Sequence, residues 1–211
     1  MLDIDKKICY ICEKENADSV DHIPPRNIFI SKYLLSNNLM TVPAHIECNI
    51  LCSKDDDYFR IFLLIYCYWT SSIAKELWNT KVKRQLNREQ SKMFKSYLSN
   101  SLIPTNLYIK NQSLSLISLE SDRVLKEVAR ITRGIYYYKT GKILKNNVEV
   151  EVDFNGYSID IDGLPEKLYE FENVCDGIFK FAWVEANLKQ KTGIFKFIFY
   201  NSIGFCSYYG L

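Results

Sequence analysis

The spacing of hydrophobic residues predicts three helical stretches in the middle of the chain. From Asp55 onward, apolar residues recur every three or four positions, which is the spacing of one helix face; they are Tyr58, Phe59, Phe62, Leu63, Tyr66 and Trp69. A helix is also predicted over 75–95, and another over 122–138, where an apolar stripe has basic residues roughly opposite it. Between these two, 107–119 alternates like a strand.

The last third of the chain predicts an antiparallel sheet. Four segments are dominated by aromatic and β-branched residues, which favour strands: 148–154, 178–184, 195–200 and 203–208. A turn at 189–193 would join two of them as a hairpin. With the helices, these strands predict an α+β fold.

The first 57 residues form a region of different character. They are polar and rich in turn-forming residues, and they need a metal or a neighbouring domain because they hold too few large apolar side chains for a core. We therefore divide the chain into a module at 1–57 and a helical and antiparallel β body at 58–211. The acidic run 55–57 is predicted to start the following helix, where the helix dipole favours carboxylates.

Composition limits the classes of function. The 211 residues are 47% hydrophobic with a formal net charge of +2, so the chain can bury a core and is not a polybasic protein that binds nucleic acid by bulk charge. The charge is unevenly distributed, because 75–95 holds seven basic and two acidic residues. Such a segment is either a solvated helix face or a surface for phosphate groups.

Cysteine and histidine usage indicates metal binding rather than disulfides. There are seven cysteines, and the only two histidines, His22 and His45, lie in the first quarter of the chain. The N-terminus lacks the apolar stretch of a signal peptide, and the longest strongly apolar run, 61–69, is far shorter than the roughly 20 residues that cross a bilayer. We expect a soluble cytoplasmic protein with reduced thiols and no membrane association.

Two short motifs have the spacing of zinc ligands. Cys9-x-x-Cys12 and His45-x-x-Cys48 together offer four soft or borderline donors, enough for a closed tetrahedral structural site. Cys52, four residues after Cys48, is an alternative fourth ligand.

A second set of candidate residues is associated with these motifs. Asp21 and Asn49 offer the hard oxygen ligands that Mg²⁺ or Mn²⁺ prefers. In a strand, His22 would point to the face opposite Asp21, and its near-neutral pKa suits a general base that takes a proton from water. A divalent metal that binds phosphate oxygens, a base and a rigid zinc site together indicate phosphodiester hydrolysis.

The run CxxC…DHxPP…VPAHxxCN…SKDDDYFR, over residues 7–60, resembles the HNH endonucleases of the zinc-framed ββα-metal type. The resemblance implies that two short strands lead into a helix that starts near Cys48 and Asn49. It implies hydrolysis of DNA to a 3′-hydroxyl and a 5′-phosphate, and defence of a bacterium against phage is the cellular role expected by analogy.

The same resemblance implies a role for each candidate residue. Asp21 and Asn49 would hold the catalytic Mg²⁺ or Mn²⁺, with His22 as general base. Structural zinc would be bound by the remaining four residues: Cys9, Cys12, His45 and Cys48. The chain departs from the family at Met40, where members often carry an asparagine that pins the loop holding the base; Asn37 and Asn38 lie nearby.

Two other functions remain open at this point. One is a non-catalytic zinc-finger module that binds nucleic acid or a protein partner; the other is a nuclease that acts within a defence complex assembled by 58–211. DNA is the expected partner, the motifs fit RNA as well, and the oligomeric state is left open. Phosphate contacts are expected from the basic stripe at 123–133 and from a second basic set: Arg26, Lys54, Lys81, Lys83, Arg84 and Arg88.

Overall fold

The structure is a computed structural model that describes residues 7–34, 39–87, 95, 99, 102–109, 112–117, 120–156, 170–175, 177–187 and 192–210. The described fold is mixed α+β, as predicted, with antiparallel sheets of two, two and five strands. Within the described part of the chain, no helix has the length and apolar character needed to cross a membrane.

The N-terminal part consists of two short strands followed by a long helix. Strands β1 and β2 pair antiparallel, with Asp21 opposite Val42 and His22 opposite Thr41. One residue separates β2 from helix α2, so the order of elements agrees with the order that the family resemblance implies. The bounds are β1 Ser19–His22, a 3-10 turn Arg26–Ile28, α1 Ser31–Leu34, β2 Thr41–Ala44 and α2 Ile46–Cys67.

Helix α2 begins well before the start at Asp55 that the apolar pattern predicts, and close to the start implied by the resemblance. The Ile46 amide donates a hydrogen bond to Asp18 Oδ1 (2.9 Å), so a carboxylate satisfies one of the free amides of the first turn. The acidic run 55–57 lies inside the helix, and its predicted place at the helix start is wrong. The predicted domain boundary at residue 57 also falls inside α2.

Short helical pieces and a hairpin follow α2. Helix α3 (Ser72–Leu77), a π-helical turn (Trp78–Val82) and α4 (Lys83–Leu86) run on continuously and account for residues 75–86 of the helix predicted over 75–95. Strands β3 (Leu102–Ile109) and β4 (Gln112–Ile117) pair antiparallel. The range 107–119, predicted as a single strand, therefore includes the end of β3 and all of β4.

The C-terminal part contains a long helix and the five-stranded sheet. Helix α5 (Ser121–Thr140) confirms the helix predicted over 122–138, and it ends at Gly141, whose φ of 67° is typical of a left-handed helix cap. The sheet order is β5-β9-β8-β7-β6. The four predicted strands are confirmed and β6 is additional: β5 Val150–Gly156, β6 Glu172–Val174, β7 Phe179–Asn187, β8 Thr192–Phe199 and β9 Ile203–Tyr209.

One hydrophobic core joins the N-terminal hairpin, the helices and the large sheet. Phe59 on α2 packs edge-on against Phe199 of β8, with 5.3 Å between ring centroids. Gly134 on α5 lies against Ile23, the residue after His22: a Cβ at Gly134 would lie only 2.6 Å from Ile23 Cγ1. Any residue larger than glycine at position 134 would clash with Ile23. Glycine there therefore lets helix α5 lie close to the end of the strand that carries Asp21 and His22.

Candidate functional site

The four predicted zinc ligands come together in the structure. The ligand atoms of Cys9, Cys12, His45 and Cys48 all lie within 4.8 Å of one another, a spacing that can hold a metal ion. Three thiols and one imidazole form a donor set that fits structural zinc. Cys52, the alternative ligand, is not part of this group, and burial raises the pKa of its thiol to about 11.

Local hydrogen bonds orient the cluster. His45 Nδ1 lies 3.3 Å from Cys12 Sγ, while Nε2 lies 3.1 Å from the Glu15 carbonyl oxygen. A zinc-binding histidine typically donates its second ring N–H to such an oxygen, which fixes the ring orientation. The hydrogen bond to Cys12 raises the pKa of His45 to about 9. Burial acts to raise the pKa of the Cys12 thiol. Hydrogen bonds from the Lys14 amide, His45 and the neighbouring thiols outweigh it and lower this pKa to about 7.

Asp21 lies on the interior face of β1, whereas Val20 and His22 on either side of it are more exposed. Its Oδ2 accepts a hydrogen bond from the Tyr10 hydroxyl (2.5 Å) and an ion-paired hydrogen bond from Arg130 Nη1. Within the described residues, no hydrogen bond to Asp21 Oδ1 is found. The protein therefore holds Asp21 through one of its two carboxylate oxygens.

Arg130 on α5 stands at the centre of a buried polar network. Its side chain is 12% exposed and pairs with three carboxylates; these belong to Asp21, Asp56 and Glu127. Burial raises the pKa of Asp56 to about 7, against the opposite effect of the Arg130 charge, and burial likewise raises the pKa of Glu127. Asp56 of α2 thus pairs with Arg130 of α5 across the helix interface.

Arg130 and Tyr10 are not marked as site residues by the sequence, which predicts phosphate contacts for the basic stripe at 123–133. In the structure, three arginines of this stripe, Arg123, Arg130 and Arg133, each donate hydrogen bonds to partners within the protein. Arg123 bonds Asp55 Oδ1 (2.5 Å), and Arg133 bonds the carbonyl oxygens of three residues: Leu144, Lys145 and Val148. The one signal for Arg130 in the sequence is its i,i+3 spacing from Glu127, which indicates a pair but not the link to Asp21.

Asn49 lies in the first turn of α2, directly after Cys48 of the Cys₃His cluster. Its Nδ2 donates to the Val20 carbonyl oxygen (3.0 Å), which ties the side chain to the residue before Asp21. Its Oδ1 is buried and has no hydrogen-bond partner among the described residues. A buried amide oxygen without a partner is costly unless a ligand satisfies it. Like the carboxylate of Asp21, this amide oxygen is a hard donor of the kind that Mg²⁺ or Mn²⁺ prefers.

His22 is half-buried at the end of β1. Burial and then the positive charge of Arg26 lower the pKa of His22, against the opposite effect of Asp21, which favours the neutral imidazole. The next amide, that of Ile23, donates to the Met40 carbonyl oxygen (3.0 Å). The main chain at Met40 therefore pins the residue after His22. Asn37 and Asn38 lie outside the described residues.

The basic residues predicted to contact phosphate differ in their exposure and in their hydrogen bonds within the protein. Arg26, Lys54, Lys83 and Arg84 are exposed, although the Arg84 side chain also donates to the Thr80 carbonyl oxygen. Lys81 is half-buried and donates to the Phe29 carbonyl oxygen (2.8 Å). Arg88 lies outside the described residues.

Comparisons of the chain with protein-family models, with curated proteins and with solved structures found no match.

Proposed function

We propose that the protein is a metal-dependent endonuclease of the HNH type that hydrolyses phosphodiester bonds in DNA. One observation carries the proposal: Asn49 Oδ1 is buried without a partner in the part of the chain that the structure describes, while the amide nitrogen of the same side chain donates to the strand of Asp21 and His22. The order of strand, strand and helix beside a Cys₃His cluster supports the same reaction class.

Each residue has a separate task in this proposal. Asp21 and Asn49 would hold Mg²⁺ or Mn²⁺, which when bound stabilises the charge of the phosphate as a Lewis acid. His22, on the other face of β1, would accept the proton of the attacking water. The Cys₃His cluster would bind structural zinc and fix the start of α2 relative to the hairpin.

The surface around this site supports a polyanionic substrate. Arg26 follows His22 by four residues and is exposed, and Lys54 is exposed on the same helix as Asn49. The first turn of α2 adds the positive end of a 22-residue helix dipole. Lys83 and Arg84 would contribute more distant contacts to the phosphate backbone. Defence of a bacterium against phage is a role proposed by analogy.

The proposal is tested by incubating the purified protein with plasmid DNA in Mg²⁺ or Mn²⁺. We expect cleavage by the parent and a loss of roughly 10²–10⁴-fold in rate for His22→Ala, because the general base is removed. Thr41→Ala is the matched control, since Thr41 is exposed and lies opposite His22 in the hairpin. Absence of cleavage by the parent, or equal rates for parent and His22→Ala, would contradict the proposal; a parallel RNA substrate decides the type of nucleic acid.

A second function, a non-catalytic zinc module that binds nucleic acid or a protein, is favoured by one observation. Asp21 Oδ2 already has Tyr10 and Arg130 as partners, so the carboxylate is neutralised without a metal. This alternative predicts zinc in the purified protein, binding of nucleic acid that His22→Ala does not change, and no binding of Mn²⁺ beyond the zinc site.

A further inference from the structure

We infer that Arg130 is a positioning residue for Asp21: from helix α5 it holds one carboxylate oxygen so that the other faces the catalytic metal. This inference rests on the proposed function. Arg130 and Asp21 are 109 positions apart in the chain, and Arg130 belongs to the body for which the sequence discloses no role.

The guanidinium group of Arg130 is fully bonded. A guanidinium has five N–H donors in a fixed plane, and five hydrogen bonds leave this side chain. Nε and Nη2 form a fork on the two carboxylate oxygens of Glu127, at 3.0 and 2.6 Å. The second Nη2 bond goes to Asp56, and Nη1 bonds both Asp21 Oδ2 and the Tyr10 hydroxyl (3.0 Å). The group therefore has one orientation.

Glu127 and Asp56 fix the orientation of the Arg130 side chain independently of Asp21. Glu127 lies one turn earlier on the same helix and its side chain is 3% exposed, so the fork on it locks the Arg130 side chain. Asp56 extends from α2 and anchors the opposite end of the guanidinium. Nη1 is thus presented to β1 by two elements that are themselves packed into the core. A carboxylate held in this way loses little rotational freedom when it accepts a ligand.

Tyr10 links the same carboxylate oxygen to the zinc cluster. It is almost completely buried, directly follows the zinc ligand Cys9, and its main-chain amide bonds the Pro43 carbonyl oxygen of β2 (3.1 Å). Its hydroxyl donates to Asp21 Oδ2 and accepts from Arg130 Nη1. Both partners of Asp21 therefore act on Oδ2, and Oδ1 is the oxygen that remains for the metal.

The geometry requires arginine rather than any cation. Lysine carries the same charge on a single nitrogen and cannot form a fork on Glu127 while bonding Asp21, Asp56 and Tyr10. Arg130→Lys therefore keeps the positive charge among the three carboxylates and removes the fixed orientation. Keeping the charge matters, because a variant that removed it would bind a cation more strongly by simple electrostatics.

The experiment compares the parent with Arg130→Lys, Tyr10→Phe and the control Arg133→Lys. Arg133 lies on the same helix and also makes several hydrogen bonds, but these go to the loop at 144–148 and not to Asp21. Three quantities are measured on each zinc-loaded protein: zinc content, Mn²⁺ affinity from the electron paramagnetic resonance of free Mn²⁺, and plasmid cleavage as a function of Mg²⁺ concentration.

We expect Arg130→Lys to retain its zinc, to bind Mn²⁺ about 10–100-fold more weakly, and to need correspondingly more Mg²⁺ for half-maximal cleavage, the usual effect of losing a partner of a metal ligand. Tyr10→Phe should shift both quantities in the same direction but less. Saturating Mg²⁺ should restore much of the rate, which it would not do if the variant were merely unfolded.

Two results would overturn the inference, and they differ. Equal Mn²⁺ affinity in the parent and Arg130→Lys, or an equal loss in Arg133→Lys, contradicts the positioning role and leaves the proposed nuclease intact. A parent that binds no Mn²⁺ and cleaves no plasmid contradicts the nuclease, and the role of Arg130 with it.

Discussion

At the scale of single residues, the main chain performs a task that the resemblance to HNH nucleases assigns to an asparagine side chain. The Ile23 amide bonds the carbonyl oxygen of Met40, so the residue after His22 is pinned whatever side chain stands at position 40. The Met40 side chain itself is 5% exposed and packs in the core. The departure from the family pattern at this position is therefore compatible with a fixed His22.

Met40→Asn tests this directly. We expect it to destabilise the protein by about 1–3 kcal/mol, because a buried amide replaces a thioether without assured partners, and not to increase plasmid cleavage. Urea unfolding and the cleavage assay measure the two effects. Met40→Leu is the control, since a swap of similar volume costs less than about 1.5 kcal/mol. A faster nuclease with asparagine would show that the side chain is needed for the loop.

At the scale of elements, the Cys₃His cluster attaches a segment that has little regular structure of its own. The described residues 7–18 contain no helix or strand. They are fastened to β2 and α2 through the ligand cluster and through the bond from Tyr10 to Pro43. Loss of a bound metal should therefore free Cys9 and Cys12 from the cluster, and it should also break the hydrogen bond from Tyr10 to Asp21.

Paired cysteine variants test the composition of the cluster. We expect about one zinc ion per chain in the parent, loss of zinc and a lower unfolding temperature in Cys9→Ser, and unchanged zinc in Cys52→Ser, because Cys52 lies outside the cluster. Elemental analysis and thermal unfolding give both quantities. If Cys52→Ser lost its zinc while Cys48→Ser retained it, the ligand set would have to be redrawn.

At the scale of the whole molecule, the N-terminal module of residues 1–57 and the body share one core. Helix α2 runs through residue 57, Phe59 packs on the large sheet, and Arg130 reaches back from α5 to Asp21. The division into residues 1–57 and 58–211 is thus a division of motifs along the sequence, and the described contacts cross it at several points.

The shared core leads to a prediction about a fragment of residues 1–57. We expect it to remain largely unfolded even with zinc, because it ends within α2 and leaves Asp21 and Asp56 without Arg130. Amide NMR dispersion and circular dichroism of the fragment, against the full chain at equal zinc, would show this. A well-dispersed spectrum with native helix content would mean that the module folds on its own.

Much of the fold followed from local patterns in the sequence. The 3.6-residue period predicted α5, and the abundance of aromatic and β-branched residues predicted four strands of the large sheet, because each signal is set by neighbours along the chain. The start of α2 could not be read in the same way. Its first turns bear exposed apolar side chains such as Ile50 and Leu51, and the helix is begun by Asp18 from outside it.

The sequence by itself determined the candidate metal ligands, since Cys9, Cys12, His45 and Cys48 are marked by two short spacings and by the scarcity of histidine. Only the tertiary structure decided what surrounds Asp21. An arginine on a helical stripe looks solvent-exposed until the helix packs, and an ion pair across 109 residues leaves no periodic trace in the chain. Burial turned Arg130 from a surface charge into the fixed partner of a carboxylate.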